Sequence, residues 1–590
     1  MMRPAPPMHP THRRKPARPA EGHRIERSPM HARALRSLIL LLLGLWATPA
    51  WAADFYVDPV HGAMDNDGSR DAPWRTLQEV IEANLIESQE WSSLPYAEGA
   101  TLVPKNPGAP VRAGDRLWLR SGDHGALVIQ SYYNAAPIII QGEPGASARL
   151  SSALIRSSSH WHLVNLDISL AYATDYEKKT LLAIENHNWR GPVHDIRVED
   201  CRIASVADIS PWTADDWNNL AGNGIRVDGA NNFIANNHIK NVNFGISVSG
   251  PNAQIIGNTI ENFSGDGLRG LGDHGLFEGN LVKNCYKTND NHDDGFQSWS
   301  VGPDGVGSGE VHGIILRGNT IINYEDPDQP MRCTLQGIGC FDGTFVDWVI
   351  ENNVIMVDHW HGITLMGARN SRIVNNTVVD LNQERPGPPW VRIANHKDGT
   401  PAQGCLVRNN LVTAINVEGD GVTVDHNLIV TDLAAHFVDP LAFDLRLLPT
   451  STAIDAGAAE EAPSLDHAGV PRPQGLAVDV GAFEWHDGTW PPPEPEELRP
   501  EEAVEPAPEA VEAPDSAELG GDDTRPDPGS DASDMAEDLQ ADPPPPQRDQ
   551  ESCACRVAAP RPTAPRALGA LALGLLALYL IRRRHQSQQH

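Results

Sequence analysis

Cysteine is scarce in this chain, with seven residues in 590. Cys553 and Cys555 stand near the C-terminus, which leaves Cys201, Cys285, Cys333, Cys340 and Cys405 for the rest. That is an odd number, so no disulfide framework holds the fold, although export would permit a single bridge. Cys333 and Cys340 are the expected pair. Basic charge is also short: 46 Lys and Arg face 78 Asp and Glu, for a formal net charge of −32. A surface of that sign repels a phosphate backbone, which excludes nucleic acid as a partner. The middle of the chain has no helix-length apolar stripe, so a helical bundle is excluded as well.

Glycine (51) and proline (48) are plentiful, and proline gathers towards the C-terminus, where the chain stops reading as globular. Residues 490–552 hold 20 acidic residues against three arginines and no aromatic after Trp490. Such a segment buries too little apolar surface to offset its ordering entropy, so a disordered, self-repelling stalk is expected there.

Both ends carry targeting signals. Residues 1–52 end in "MHARALRSLILLLLGLWATPAWA", with Arg33 and Arg36, an apolar run from Leu38 to Leu45, and the small residues Ala50 and Ala52. This predicts a signal peptide cleaved after Ala52, with Met30 as the expected true start. Residues 553–590 carry Cys553 and Cys555, an apolar run over 567–581 read as a transmembrane helix, and then Arg582, Arg583 and Arg584. The arrangement resembles the cysteine, apolar helix and arginine-cluster tags of myxobacterial surface proteins. That resemblance implies a sorting protease as partner and a location at the cell envelope or surface, and a plain membrane anchor is the alternative.

Between these ends the sequence repeats. The phrase [G/N]-N-x-[I/V] occurs as "NNHI" (236), "GNTI" (257), "GNLV" (279), "GNTI" (318), "NNVI" (352), "NNTV" (375) and "NNLV" (409), with an echo in "HNLI" (426). Its second asparagine steps by 21, 22 and 23 residues where no insertion intervenes, and by 39 and 34 around Asn319. A second phrase runs out of phase with it: "NGIRV" (223), "FGISV" (244), "DGLRG" (266), "DGFQS" (294), "QGIGC" (336), "HGITL" (361). A period near 22 built from short β-branched runs predicts an all-β solenoid, a right-handed parallel β-helix over 123–445, with bend asparagines pairing between coils. The longer intervals predict loops inserted on one face.

Residues 53–122, with "DFYVDPVHGAMDNDGSRDAPWRTLQEVIEA" and a helix from about Thr76, read as an N-terminal cap. They resemble the entry segment of secreted β-helix proteins, polysaccharide lyases among them. Residues 446–489, with "AIDAG" and "DVGAFE", resemble the exit segment of bacterial surface β-helix proteins and read as a C-terminal cap. The resemblance to this pectate lyase-like group covers about residues 54–485 and speaks for fold more than for chemistry.

Successive coils of such a fold stack ~4.8 Å apart. Aligning the glycine phrases puts Asn223, Phe244, Asp266, Asp294, Gln336 and His361 in one column. Arg226, Ser247, Arg269, Gln297, Gly339 and Thr364 become the outward positions of the same strands. Asp266, Asp293, Asp294, His292, His359 and His361 then gather on one strip. Clustered carboxylates raise one another's pKa or demand a cation, so the strip offers a general acid, or a Ca²⁺ site at Asp290, Asp293 and Asp294. A single Asp before Gly is more simply a bend residue. His359 and His361 lie two apart and point to one side, with Trp360 inward or on the corner, and with His292 they leave a Zn²⁺ site open.

The catalytic candidates are therefore His292, Asp293, Asp294, His361, Arg269 and Asp266, and the substrate-binding candidates Gln297, Trp299, Gln336, His359 and Arg226. An elongated polar groove with aromatics suits an extracellular polysaccharide, and a monomer is expected. Two chemistries compete. In β-elimination on a uronate polymer, Arg269 or Ca²⁺ neutralises the carboxylate and His361 or His292 takes the proton. The alternative is inverting hydrolysis: "DDGFQ", "HGITLMG" and "VRIANH" resemble motifs of the β-helical polygalacturonases, which implies roles for Asp293, Asp294, His361 and Arg392. The 67 residues between Asp294 and His361 and the alanine at 394 depart from that pattern. The Asp-Pro-His signature of the mannuronan epimerases is missing. A surface adhesin that binds glycan without turning it over is the reading outside enzymes.

Overall fold

The computed structural model describes residues 52–380, 382 and 385–488. The signal peptide, the stalk and the C-terminal tag expected from the sequence lie outside the described residues. Among the described residues no helix is long and apolar enough to cross a membrane.

The repeat phrases explain the architecture. Among the described residues, strands of two to ten residues assemble into three long sheets of 13, 12 and 11 strands, and each strand pairs in parallel with its counterparts in the coils before and after. This is the expected right-handed parallel β-helix. The first residue of the [G/N]-N-x-[I/V] phrase sits at a corner in the left-handed region: φ is 55° at Asn236, 63° at Gly257, 64° at Gly279, 60° at Gly318 and 55° at Asn352. Only glycine, or a short polar side chain such as asparagine, takes that conformation at small cost, which is why the phrase opens on those two residues.

The second asparagine forms a buried ladder. Each side-chain Oδ1 accepts both the backbone N–H and the amide N–H of the asparagine one coil earlier, at 2.9–3.1 Å along Asn237, Asn258, Asn280 and Asn319. The ladder continues through Asn353, Asn376 and Asn410 to Asn427. Inside the coil the position two residues after each asparagine supplies the core: Ile239, Ile260, Val282, Ile321, Ile355, Val378 and Val412 stack in register and are buried. Fully burying each such side chain contributes ~1.5–3 kcal/mol. The glycine of the second phrase has a different reason. A Cβ on Gly224 would stand 2.4 Å from the Gly245 carbonyl oxygen, and one on Gly245 2.2 Å from that of Gly267, so only glycine lets these coils close on one another.

At the entry end, Thr76 caps the short helix Leu77–Glu82 by accepting the Glu79 N–H at 3.3 Å, and Leu77, Val80 and Ile81 are buried. The segment expected as a C-terminal cap runs back along the corners of the coils. Asn352, Asn375 and Asn409 bond to its Leu465, Asp479 and Ala458 carbonyls, and the wholly buried Arg472–Glu484 pair at 2.7 Å holds the segment to itself.

The expected Cys333–Cys340 bridge is not formed. Cys285 pairs with Cys333, while Cys340 is a free thiol in the core. Cys340 lies within the strand Gln336–Asp342 and faces inward, whereas Cys333 reaches the end of the strand Leu281–Cys285 before that strand begins.

Candidate functional site

The insertions leave the register intact. On the 11-stranded sheet Arg226, Ser247, Arg269, Gln297, Gly339 and Thr364 pair in succession as expected, and Arg392 and Asn416 extend the row. Asp294 likewise pairs with Gln336. The strand of His361 is third after that of Arg269, so at ~4.8 Å per strand the expected strip holds two groups, with His361 ~10 Å beyond Asp294 and ~14 Å beyond Asp266.

The first group is a buried carboxyl pair. Asp266 and Asp294 are 1% and 0% exposed, and Gln336 is 5% exposed. Arg269 Nε donates to Asp266 Oδ2 at 2.5 Å, the Asp294 backbone N–H donates to Asp266 Oδ1 at 3.1 Å, and Gln297 Nε2 donates to Asp294 Oδ2 at 3.1 Å. Asp294 Oδ1 and Gln336 Oε1 have no partner. Burial raises both carboxyl pKa values, and the charges of Asp266 and Asp293 add to the rise at Asp294. Arg269, bonded to Asp266, opposes the rise at both, and the rise is the larger at Asp294. Arg269 lies 3.5 Å from the Phe244 ring centre and 5.4 Å from that of Trp299.

Asp293 turns elsewhere. One carboxylate oxygen lies within 4.8 Å of the sulfurs of Cys285 and Cys333, and Lys287 Nζ donates to its Oδ2 at 3.0 Å. Burial pushes its pKa up to about 7 against the pull of Lys287. Asp290 and His292 are exposed on the adjoining loop. Asp290, Asp293 and Asp294 therefore do not converge on one point, as the six to eight oxygens around Ca²⁺ must. Arg226 is exposed and bonds to Asp228 at 2.6 Å, two strands before the pair.

The loop has a brace that was not legible in the sequence. The helix Ala214–Leu220, closed by a Thr213–Asp216 capping box, stacks Trp217 on Tyr286 at 4.8 Å. Its Asn218 side chain donates to the Thr288 carbonyl at 2.9 Å and accepts from Asn289 Nδ2 at 3.0 Å.

The second group is open to solvent. His359 and His361 stack with ring centres 5.2 Å apart, as expected from their spacing, and both are half-buried. His359 Nδ1 accepts the His361 backbone N–H at 3.2 Å, so its own proton sits on Nε2. His361 Nδ1 and Trp390 Nε1 both bond to Thr364 Oγ1, at 2.9 and 3.2 Å. Phe341 lies edge-on to His361 at 4.8 Å and Trp390 at 5.5 Å. Trp360, exposed at the corner, stands nearly parallel to Trp390 at 6.3 Å. Arg392 lies on the strand after His361, 5.8 Å from the Trp390 ring centre, and pairs with the exposed Glu418 at 3.1 Å. Burial, then His359, Arg392 and His292, hold the His361 pKa down to about 3. Burial, then His292 and Lys287, hold that of His359 down to about 4. Both rings are neutral at neutral pH.

Phe341, Trp390 and Thr364 were not among the expected site residues. Trp390 pairs in register with His361, so extending the column by one further coil was the signal that could have found it.

The family model of the right handed β-helix region matches residues 223–385. Comparison with curated protein sequences gives no match. Among solved structures the chain is similar to a pectate lyase (14% identity, TM-score 0.39, 74% of this chain and 96% of that one). It is similar to a rhamnogalacturonan lyase (13% identity, TM-score 0.31, 68% and 96%). A third likeness is to the A-module of a mannuronan C-5 epimerase from Azotobacter vinelandii (12% identity, TM-score 0.35, 54% and 91%). Identities and scores this low carry no argument about chemistry, which rests on the groups described above.

Proposed function

We propose that this chain cleaves a uronic-acid-containing polysaccharide by β-elimination at the histidine group. The observation that carries the reading is accessibility: neutral His361 stands beside Arg392 and an aromatic wall open to solvent, whereas Asp266, Asp293 and Asp294 are buried. A sugar ring stacks on Trp390 and Trp360, and Arg392 takes the uronate carboxylate, which stabilises the charge that develops as C5 loses its proton. His361 Nε2 accepts that proton. The electron pair forms the C4–C5 double bond, the C4–O bond breaks, and the leaving oxygen takes the proton that His361 Nε2 has just accepted, which returns that imidazole to its neutral form. Arg392 replaces Arg269 as neutraliser, because the carboxylate that holds Arg269, Asp266, is buried, whereas Glu418, the partner of Arg392, is exposed and easily displaced.

A second reading, hydrolysis, draws support from the carboxyl pair, in which burial raises both pKa values and that of Asp294 the further. The purified chain incubated with uronate and neutral polysaccharides separates the two. Ultraviolet absorbance of unsaturated ends, lost in His361→Ala, is the expected result; new reducing ends without that absorbance would replace β-elimination by hydrolysis. Binding without turnover would leave the adhesin. The Ca²⁺ expectation enters the same assay: turnover abolished by EDTA would assign the neutralising role to a bound cation. We place the reaction outside the cell, at the envelope, on the strength of the N-terminal apolar run and the C-terminal tag. Surface proteolysis of intact cells tests that location.

A further inference from the structure

A different sheet carries a group that the proposed reaction does not use. On the 13-stranded sheet, at the start of the strand Ser159–Val164, Ser159 pairs with His194, and the register of His162 with Arg197 sets His160 opposite Asp195 one coil later. His160 and Asp195 both take the left-handed corner conformation, φ 57° and 56°. In the next two coils that position is asparagine, Asn231 and Asn252 at φ 57° and 58°. The corner geometry itself therefore calls for neither an imidazole nor a carboxylate.

His160, His194 and Asp195 each offer one ligand atom, and these atoms lie within 4.8 Å of one another. The imidazoles meet nearly at right angles, ring centres 6.0 Å apart. His194 Nδ1 bonds to Asp195 Oδ2 at 2.6 Å, which explains those two side chains as an ordinary pair. It does not explain His160, whose Nδ1 is buried and has no partner. Tyr133 backs the group, its ring 6.3 Å from that of His194 and its hydroxyl donating to the Pro192 carbonyl at 2.8 Å.

We infer that His160, His194 and Asp195 bind a divalent transition-metal ion of the Zn²⁺ class. Two imidazole nitrogens and one carboxylate oxygen suit such an ion and not Ca²⁺, which takes oxygen ligands in larger number. Ligand atoms ~2.1 Å from a tetrahedral ion stand ~3.4 Å from each other, so atoms now up to 4.8 Å apart draw in by at most ~1.4 Å and the 2.6 Å His194–Asp195 contact opens slightly, within the reach of half-exposed side chains. The bound ion gives the orphaned nitrogen of His160 a partner and fastens two successive coils near the entry end of the solenoid. Water takes the fourth position.

The test titrates Zn²⁺ and Co²⁺ into the full chain after chelator treatment. One ion per chain is expected, with the visible absorption of tetrahedral Co²⁺, and added Zn²⁺ raises Tm. His160→Ala and Asp195→Asn each weaken binding on the order of 100-fold or more and remove the Tm response. Absence of tetrahedral Co²⁺ absorption in the unsubstituted chain would overturn the inference, a result that does not depend on how any variant folds. Equal Zn²⁺ affinity in the unsubstituted chain and in a folded His160→Ala variant would overturn it too, by moving the ion elsewhere.

Discussion

Asp294 lays its Oδ1 over Gly339 of the next coil, where an added Cβ would stand 2.1 Å from that oxygen and 2.8 Å from the Phe341 ring. Gly339→Ala must therefore displace a wholly buried carboxyl group or the aromatic wall beside His361. We expect a loss of roughly 1–3 kcal/mol, as for other overpacked sites, read as a lower urea midpoint with unchanged slope. A midpoint equal to that of the unsubstituted chain would show that the carboxyl group has room to move.

Removing one member of the asparagine ladder should cost more than a surface change. Asn319 accepts both N–H groups of Asn280 and donates to the Phe277 carbonyl and to Asn353. Asn319→Ala leaves the buried backbone N–H of Asn280 unpaired, at a cost of ~1–3 kcal/mol beyond the lost bonds. Calorimetric Tm measures it, and Asn252→Gly, which keeps the left-handed corner at φ 58°, is the mild control.

His361→Ala should lower kcat/KM on a uronate polymer by on the order of 10²–10⁴, and Arg392→Ala should lower kcat/KM with retained binding of neutral oligosaccharide. The base must be neutral to act. With its pKa held near 3, His361 stays available throughout the range in which an ordinary histidine would titrate, so the acid limb of the profile should fall only below about pH 4. An acid limb well above about pH 4 would rule out His361 as the base.

Asp293 links stability to pH. Its folded pKa of about 7 lies above the unfolded value of 3.8, so the folded state holds a proton that the unfolded state releases between those values. Stability contributed by this group is complete below pH 3.8 and is lost as pH rises through 7. Asp293→Asn removes the dependence, so the variant should gain on the unsubstituted chain by roughly 1 kcal/mol per pH unit across that window and no further above it. Parallel stability curves for the two proteins would contradict the raised pKa.

The Cys285–Cys333 bridge closes a separation of 48 residues. Replacing both cysteines with serine should cost ~2–4 kcal/mol of stability and loosen the support beside Asp293. Unfolding under reducing and non-reducing conditions checks it, since only the unsubstituted chain should respond to the reductant.

The fold was legible because each repeat phrase spells out a backbone requirement: a left-handed corner, an amide that reaches the neighbouring coil, and a glycine where two coils nearly touch. The row from Arg226 to Thr364 followed from those phrases alone. Side-chain accessibility did not. Arg269 and Gln297 fold over Asp266 and Asp294, and a one-letter pattern shows which coil a carboxylate belongs to but not whether its neighbours cover it. The disulfide was missed because closeness along the chain, as between Cys333 and Cys340, says little when one residue of the pair faces inward on a strand. The helix Ala214–Leu220 was missed because a single buried tryptophan, not an apolar stripe, holds it in place.

The amide ladder carries an evolutionary corollary. Every asparagine completes the bonding of the one before it, so a tandem copy of one full turn slots in without re-aiming its neighbours, whereas a fractional copy strands buried donors on both sides. Descendants of this gene can thus lengthen or shorten the solenoid only in whole rungs, and its length is inherited as a counting number.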